Sequence, residues 1–320
     1  MNRLNLLLAL GIVAAVLLSL ISGKVWLPAE AWQPSDPRWL IVVELRAPRT
    51  VLALAIGAAL GLSGAAMQGY LRNPLADPGL FGISAGAALG AVLSLFFGFA
   101  LSAWLLPAFA LAGAATAMTL LAVLAGRSGS LILFTLAGVG LSSVAGSMTA
   151  LAISLAPTPF AASEIVTWLM GALTDRSWDD VMVALPIIVV GALALAFTAP
   201  ALDALTLGEA AATSMGVDQR RLQLLVVVGV GLCVGASVAT AGIIGFVGLI
   251  VPHLVRPFAG NRPSAVLLPS ALGGALLLLL ADCLVRAAPT VSELRLGIAM
   301  SILGGPFFLV LLLRMRRKLA

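Results

Sequence analysis

Residues 264–285 read SAVLLPSALGGALLLLLADCLV, an apolar stretch almost without charge. It holds one charged side chain, Asp282, within a length that crosses a ~30 Å hydrocarbon core as a helix. The polar-in, apolar-out alternation of a membrane strand is missing. The same texture recurs along the chain, in apolar runs at 4–22, 50–70, 81–100, 102–125, 131–155, 180–199, 221–241, 245–257 and 296–313. Of 320 residues 61% are hydrophobic and 10% charged, against about 45–50% and about 25% in soluble domains. Too few polar residues remain to cover a water-facing globule. The composition predicts an all-α, polytopic membrane protein with about ten transmembrane helices. Residues 1–320 then form a single transmembrane domain.

Two runs depart from a simple crossing. The run at 245–257 is too short to span and follows Gly242-Ile243-Ile244, which predicts a broken or half-depth helix surrounded by protein. The first run, behind Arg3, is either a signal peptide or a retained span. Its apolar core from Leu4 to Ile21 exceeds the usual 7–15 residues of a signal peptide, which favours retention. Residues 159–171 are less apolar and predict a short surface helix.

Basic residues set the orientation. With the N-terminus inside, eleven fall on the cytoplasmic side: Arg3, Arg72, Arg127, Arg220, Arg221, Arg256, Arg262, Arg314, Arg316, Arg317 and Lys318. Seven fall outside: Lys24, Arg38, Arg46, Arg49, Arg176, Arg286 and Arg295. The positive-inside rule therefore predicts both termini in the cytoplasm. The net charge of +5 comes largely from the terminal basic cluster, a juxtamembrane anchor rather than a nucleic-acid site. Gly57, Gly61 and Gly64 share one helical face, a pattern that lets helix backbones approach closely in lipid.

Polar segments are few, and four carry information. Leu45-Arg46-Ala47-Pro48-Arg49 enters the second run, its arginines placed to snorkel to headgroups or to meet a partner. Gln68-Gly69-Tyr70-Leu71-Arg72-Asn73-Pro74-Leu75-Ala76-Asp77-Pro78-Gly79 is a turn whose prolines forbid a continuous helix. Residues 202–220 form the longest cytoplasmic segment; Thr206 with Glu209 has capping-box spacing, and Gly216 can close the short helix. The fourth is Gly242-Ile243-Ile244-Gly245-Phe246-Val247-Gly248-Leu249-Ile250-Val251-Pro252-His253-Leu254-Val255-Arg256.

In order and spacing these segments resemble the permeases of ATP-driven importers for iron-siderophores, haem and cobalamin, the FecCD-type family. The resemblance runs to the closing Leu296-Gly297-Ile298 and Leu303-Gly304-Gly305-Pro306-Phe307-Phe308. Arg72-Asn73-Pro74-Leu75-Ala76 and Gly248-Leu249-Ile250-Val251-Pro252-His253 are its most specific strings. The chain departs at Ala47, where relatives commonly read Leu, and at Arg295, where they commonly read Pro after Glu-Leu. The resemblance implies a type II ABC importer permease fold in the cytoplasmic (inner) membrane. It implies a second permease copy, identical or a paralogue, two copies of a cytoplasmic ATPase, and a periplasmic or lipid-anchored substrate-binding protein. The expected cargo is a ferric siderophore, with haem or cobalamin as the alternative.

By the same resemblance, Asn73, Leu75, Gly126 and Gly129 stand at a cytoplasmic gate. Thr206, Leu207, Gly208, Glu209, Ala210, Met215 and Gly216 belong to the ATPase-coupling segment. Arg46, Arg49 and Arg286 meet acidic residues of the binding protein. The chain lacks a Gly-x-x-x-x-Gly-Lys-Ser/Thr phosphate loop, so ATP hydrolysis falls to a separate subunit.

Other chemistries find little support. Asp282 lies deep in a run, either paired with Arg286 four residues on or coupled to protons. As the one mid-depth acid it is a thin basis for an ion-coupled secondary transporter. His253 stands alone, and Cys233 and Cys283 lie in apolar runs, so neither a metal or cofactor site nor a catalytic cluster of an embedded enzyme is expected.

Overall fold

The computed structural model describes residues 3–23, 27–99, 104–125, 131–289 and 293–319. Its helices are α1 (Arg3–Ile21), α2 (Ala47–Tyr70), α3 (Ile83–Phe96), α4 (Leu105–Ala125), α5 (Leu131–Ser154), α6 (Pro159–Leu169) and α7 (Trp178–Ala196). There follow α8 (Ala199–Leu205), α9 (Glu209–Ser214), α10 (Gln219–Ala241), α11 (Val247–Ala259), α12 (Pro263–Ala287) and α13 (Leu296–Leu319). Eight of them (α1, α2, α4, α5, α7, α10, α12 and α13) are long and apolar enough to cross a membrane.

The other two apolar helices, α3 and α11, have 14 and 13 residues. At 1.5 Å per residue each rises about 20 Å, short of a full crossing. For α11 this is the half-depth helix the sequence predicts. The run at 81–100 is divided, because Pro78–Phe81 forms a separate 3-10 turn and Gly82 at φ +81° starts α3 late. Eight long helices and two shorter apolar ones thus account for the ten apolar runs.

Polar side chains set the ends of several helices. Thr158 accepts the Ala161 N–H at the start of α6, and Asp218 accepts those of Arg220 and Arg221 at the start of α10. Ahead of α2 the chain widens into π turns over Ile41–Arg46, where the Val43 carbonyl accepts the Trp178 indole N–H at 3.0 Å.

The centre is built from α2, α10 and α12, while α1, α5 and α13 present apolar faces outward. Burial is tightest where glycines oppose backbone. A Cβ on Gly57 would strike the Gly274 carbonyl oxygen, one on Gly61 that of Ser270, and one on Gly274 that of Gly57. The same reciprocity pairs Gly86 with Gly113 across α3 and α4, and Gly191 with Gly229 across α7 and α10. In lipid no water-driven apolar collapse holds helices together, so close van der Waals approach does that work.

Gly61→Leu is expected to push α2 off α12 and lower stability by about 1–3 kcal/mol or more, the range for overpacking. Gly140→Ala, where an added Cβ meets no atom within 4 Å, is expected to leave it unchanged. Thermal unfolding of the detergent-solubilised protein, followed by size-exclusion chromatography, checks both.

Candidate functional site

Two polar assemblies lie at opposite ends of the α2–α12 strut. At the end that carries Tyr70, Pro252 supplies no N–H to the carbonyl four residues back, that of Gly248. The buried Gln68 amide answers: its Nε2 donates to Gly248 O at 3.2 Å and to Ala76 O at 3.4 Å. Its Oε1 accepts from Arg256 Nη2 at 2.8 Å. One side chain thereby joins the end of α2, the turn after it and both ends of α11. Gly64 and Gly248 touch beside it, where either Cβ would collide with the other strand of backbone.

The turn is held in its own right. Arg72 adopts φ +51°, Asn73 Oδ1 accepts the Leu75 N–H at 3.0 Å, and Asn73 O accepts the Ala76 N–H at 3.1 Å. Asn73 and Leu75 line a cavity of about 370 Å³ against Ile132, Thr135 and Val139 of α5. Gly126 and Gly129 lie outside the described residues.

Beside this turn stands the segment 202–217. Thr206 is not the cap of the following helix. Its hydroxyl donates to Asp203 O at 2.7 Å and finishes α8. Gly208, at φ +100°, precedes α9 and makes Glu209 its first residue rather than its third, which removes the capping-box geometry. Gly216 does close α9, at φ +88° with Val217 N–H returning to Ala212 O at 3.0 Å. Leu207 and Met215 point outward, 67% and 63% exposed, flanking the short helix that also carries Ala210. Two polar links tie the segment inward. Asp203 accepts the Ser264 N–H at 2.9 Å and its hydroxyl at 2.6 Å, capping α12. Glu209 meets Arg72 at 3.4 Å.

The second assembly, at the opposite end, centres on Asp282, which is fully buried. Arg49 approaches it side-on through Nε at 3.0 Å and Nη2 at 2.8 Å, and Arg286 Nε lies 3.1 Å from its other oxygen. The expected Asp282–Arg286 pair is present, with a second guanidinium added. Arg49 Nη1 reaches Glu293 at 3.0 Å, and Glu293 in turn accepts the Thr174 hydroxyl at 2.9 Å. Arg46 donates to the carbonyls of Leu20 and Ile21 at 2.8 and 2.6 Å; Arg286 donates to those of Ser19 and Ser22. Two guanidiniums thus hold the carbonyl end of α1, where cations are favoured. None of the three arginines is a free surface handle in the single chain. All are under 9% exposed, and Arg49, through Nη1, is bonded to the partly exposed Glu293.

Burial raises the Glu293 carboxyl, but the neighbouring Arg49 charge and the hydrogen bonds from Thr174 and Arg49 outweigh it, so it lies below its ordinary value. Around it the chain is knotted. Ala172 N–H bonds Ala241 O at 2.8 Å and Gly297 N–H bonds Gly171 O at 3.2 Å. Glu164, Trp168, Asp175 and Arg176 line a cavity of about 360 Å³ with Arg295.

Gln68, Arg256, Asp203, Ser264, Glu293 and Thr174 escaped the sequence reading as site residues. For Gln68 a signal existed, because Pro252 announces an unpaired carbonyl at Gly248. For the others, partners far apart in sequence left none.

Eight long apolar helices, two shorter ones and the paired short helices α8 and α9 make up a polytopic membrane protein. The chain belongs to the FecCD transport family, which it matches over residues 11–314, and is a permease subunit of an ABC importer. It is 38% identical over 317 residues to the vitamin B12 import system permease protein BtuC of Salmonella paratyphi A, covering 98% of this chain and 96% of that protein. The identity is the same to BtuC of Salmonella typhi, over 317 residues, 98% of this chain and 96% of that protein. The fold matches a metal-chelate-type ABC transporter solved in an inward-facing conformation, with TM-score 0.89 and 31% identity over 98% of this chain and 99% of the other.

Gln68→Leu is expected to orphan the Gly248 carbonyl and the Arg256 guanidinium, a loss of about 1–3 kcal/mol. Thermal unfolding measures it, and Gln68→Glu, which keeps the acceptor, is expected to lose less. A second outcome concerns acid. A carboxyl whose folded pKa is depressed stabilises above its unfolded value, roughly 4.3, and that contribution fades as pH falls through the folded value. The stability difference between the native chain and Glu293→Gln is therefore expected at neutral pH and to shrink on acidification.

Proposed function

We propose that this permease passes a preformed metal chelate, a ferric siderophore, from an extracytoplasmic binding protein into the cytoplasm, with the energy supplied by two ATPase subunits docked on residues 202–217. The observation that carries the reading is the placement of that segment. Its exposed Leu207 and Met215 offer an apolar surface to a partner, while Asp203 and Glu209 connect it to α12 and to the turn bearing Asn73 and Leu75. A groove of about 510 Å³ beneath Met215 and Gly216, against α8 and α10, leaves room for a partner's side chains. The turn at Asn73 and Leu75 then closes the cytoplasmic end of a path formed with a second permease copy. Both termini face the cytoplasm. Cobalamin, itself a cobalt chelate, is the second reading, supported by the printed name of the relatives at 38% identity.

On the outer face the binding protein docks through its carboxylates on the cluster of Arg46, Arg49 and Arg286. Support comes from charge. Arg46, Arg49 and Arg286 gather three guanidiniums at one end of α2 and α12, close enough that Arg46 and Arg286 repel each other, a concentration of positive charge suited to an acidic partner. Complementary charge of this kind speeds docking more than it deepens affinity.

Reconstitution with the ATPase and the binding protein tests the reading. Uptake of ferric siderophore and of cobalamin into vesicles separates the two cargoes, and uptake of neither would overturn both. Glu209→Lys or Gly216→Leu is expected to cut ATP-dependent uptake at least tenfold, equivalent to about 1.4 kcal/mol of lost coupling, while membrane content stays unchanged. Normal uptake in these variants would place the ATPase elsewhere.

A further inference from the structure

We infer that Glu293 is a positioning residue for docking: an internal carboxylate that holds the outward edge of Arg49 until a carboxylate of the binding protein displaces it. The inference rests on the docking role proposed above for the arginine cluster.

The geometry separates the faces of the Arg49 guanidinium. Nε and Nη2 bind Asp282, whose side chain is fully buried on α12 and also lies against Arg286. That side cannot yield without stranding two buried cations, which is strongly destabilising. The remaining nitrogen, Nη1, meets Glu293 at 3.0 and 3.3 Å. Glu293 differs from Asp282 in every relevant respect. It sits on the connection between α12 and α13 rather than within a helix, and its side chain keeps 20% of its exposure. Its place can therefore be taken from outside by another carboxylate of the same charge and hydrogen-bonding capacity, with Arg49 itself unmoved. Carboxylate exchanged for carboxylate keeps the buried guanidinium satisfied throughout.

Displacement has a second consequence. The Glu293 oxygen that binds Arg49 at 3.0 Å also accepts the Thr174 hydroxyl at 2.9 Å. Thr174 lies on the connection between α6 and α7, which is bonded to the end of α10 through Ala172 and to the start of α13 through Gly171. Taking Glu293 off Arg49 withdraws the link by which α2 holds this outer connection. Docking is thus registered at the outer loops through an internal bond broken, not only through a new contact made.

The test uses the permease–ATPase complex in lipid nanodiscs, with association and dissociation of its binding protein followed by surface plasmon resonance at low and high salt. Glu293→Gln removes the competing charge and is expected to raise affinity about tenfold, chiefly through faster association at low salt. Glu293→Asp keeps the charge but withdraws it by one methylene, and is expected to give an intermediate gain. Thr174→Val loosens the connection and leaves the charge in place, so its association rate is expected to match the native complex. Binding that is unchanged or weaker in both Glu293 variants, with Arg49→Ala still weakened, would overturn displacement and leave the docking role standing. An Arg49→Ala complex that binds like the native one would overturn the docking role and this inference with it. A gain in Thr174→Val equal to that in Glu293→Gln would also overturn it, because loosening alone would then suffice.

Discussion

The backbone-to-backbone contact of α2 with α12 is the constraint on which the rest of the molecule depends. Gly57, Gly61 and Gly274 remove the side chains that would hold these helices apart, and the Ser270 carbonyl fills the space left at Gly61. Once the axes are this close, their ends fall within reach of one another's short polar groups. At one end Arg49 meets Asp282; at the other Asp203 of α8 caps α12 where it passes the end of α2. A guanidinium and a carboxylate brought from water into such a place gain only if geometry and extra hydrogen bonds satisfy every remaining donor. Here the fork of Arg49 is hydrogen-bonded on both sides, and Arg286 hydrogen-bonds the α1 carbonyls while its Nε lies in ion-pair contact with Asp282 without a hydrogen bond.

Much of this was legible in the chain, for reasons of periodicity and covalent geometry. Long apolar runs mark the spans because lipid tolerates little else. Gly57, Gly61 and Gly64 repeat at helical spacing, which announced a packed face without saying against what. The half-depth α11 followed from its length and from the glycines before it. The surface helix at 159–171 appears as α6.

What was not legible depends on contacts between distant parts of the chain. Arg49 and Asp282 lie 233 residues apart, and no local pattern joins them. Arg46 read as an outward-facing cation because a charge at a span end usually snorkels; instead the carbonyl end of α1 draws it inward. Thr206 with Glu209 matched a capping pattern, yet Gly208 at positive φ shifted the helix start, and the threonine turned back to Asp203. Local signals of one kcal/mol or less yield readily to such backbone constraints.

The two links between residues 202–217 and the membrane helices differ in stiffness. Asp203 gives α12 two short hydrogen bonds, one to the backbone N–H and one to the hydroxyl of Ser264, in a partly buried place. Glu209 and Arg72 meet at 3.4 Å with side chains 46% and 41% exposed, a pair worth about 0–1 kcal/mol and screened by salt. The segment is therefore anchored firmly at α8 and loosely at α9. The turn at Asn73 shows the same asymmetry in reverse, fixed to α11 by the buried Gln68 and joined to residues 202–217 by the exposed pair. Any displacement of residues 202–217 would load α12 first. Because α12 grips α2 through the glycine contact, and α2 carries Gln68 near its C-terminal end, that load would reach the turn through the helix strut rather than through the weak surface bridge beside it.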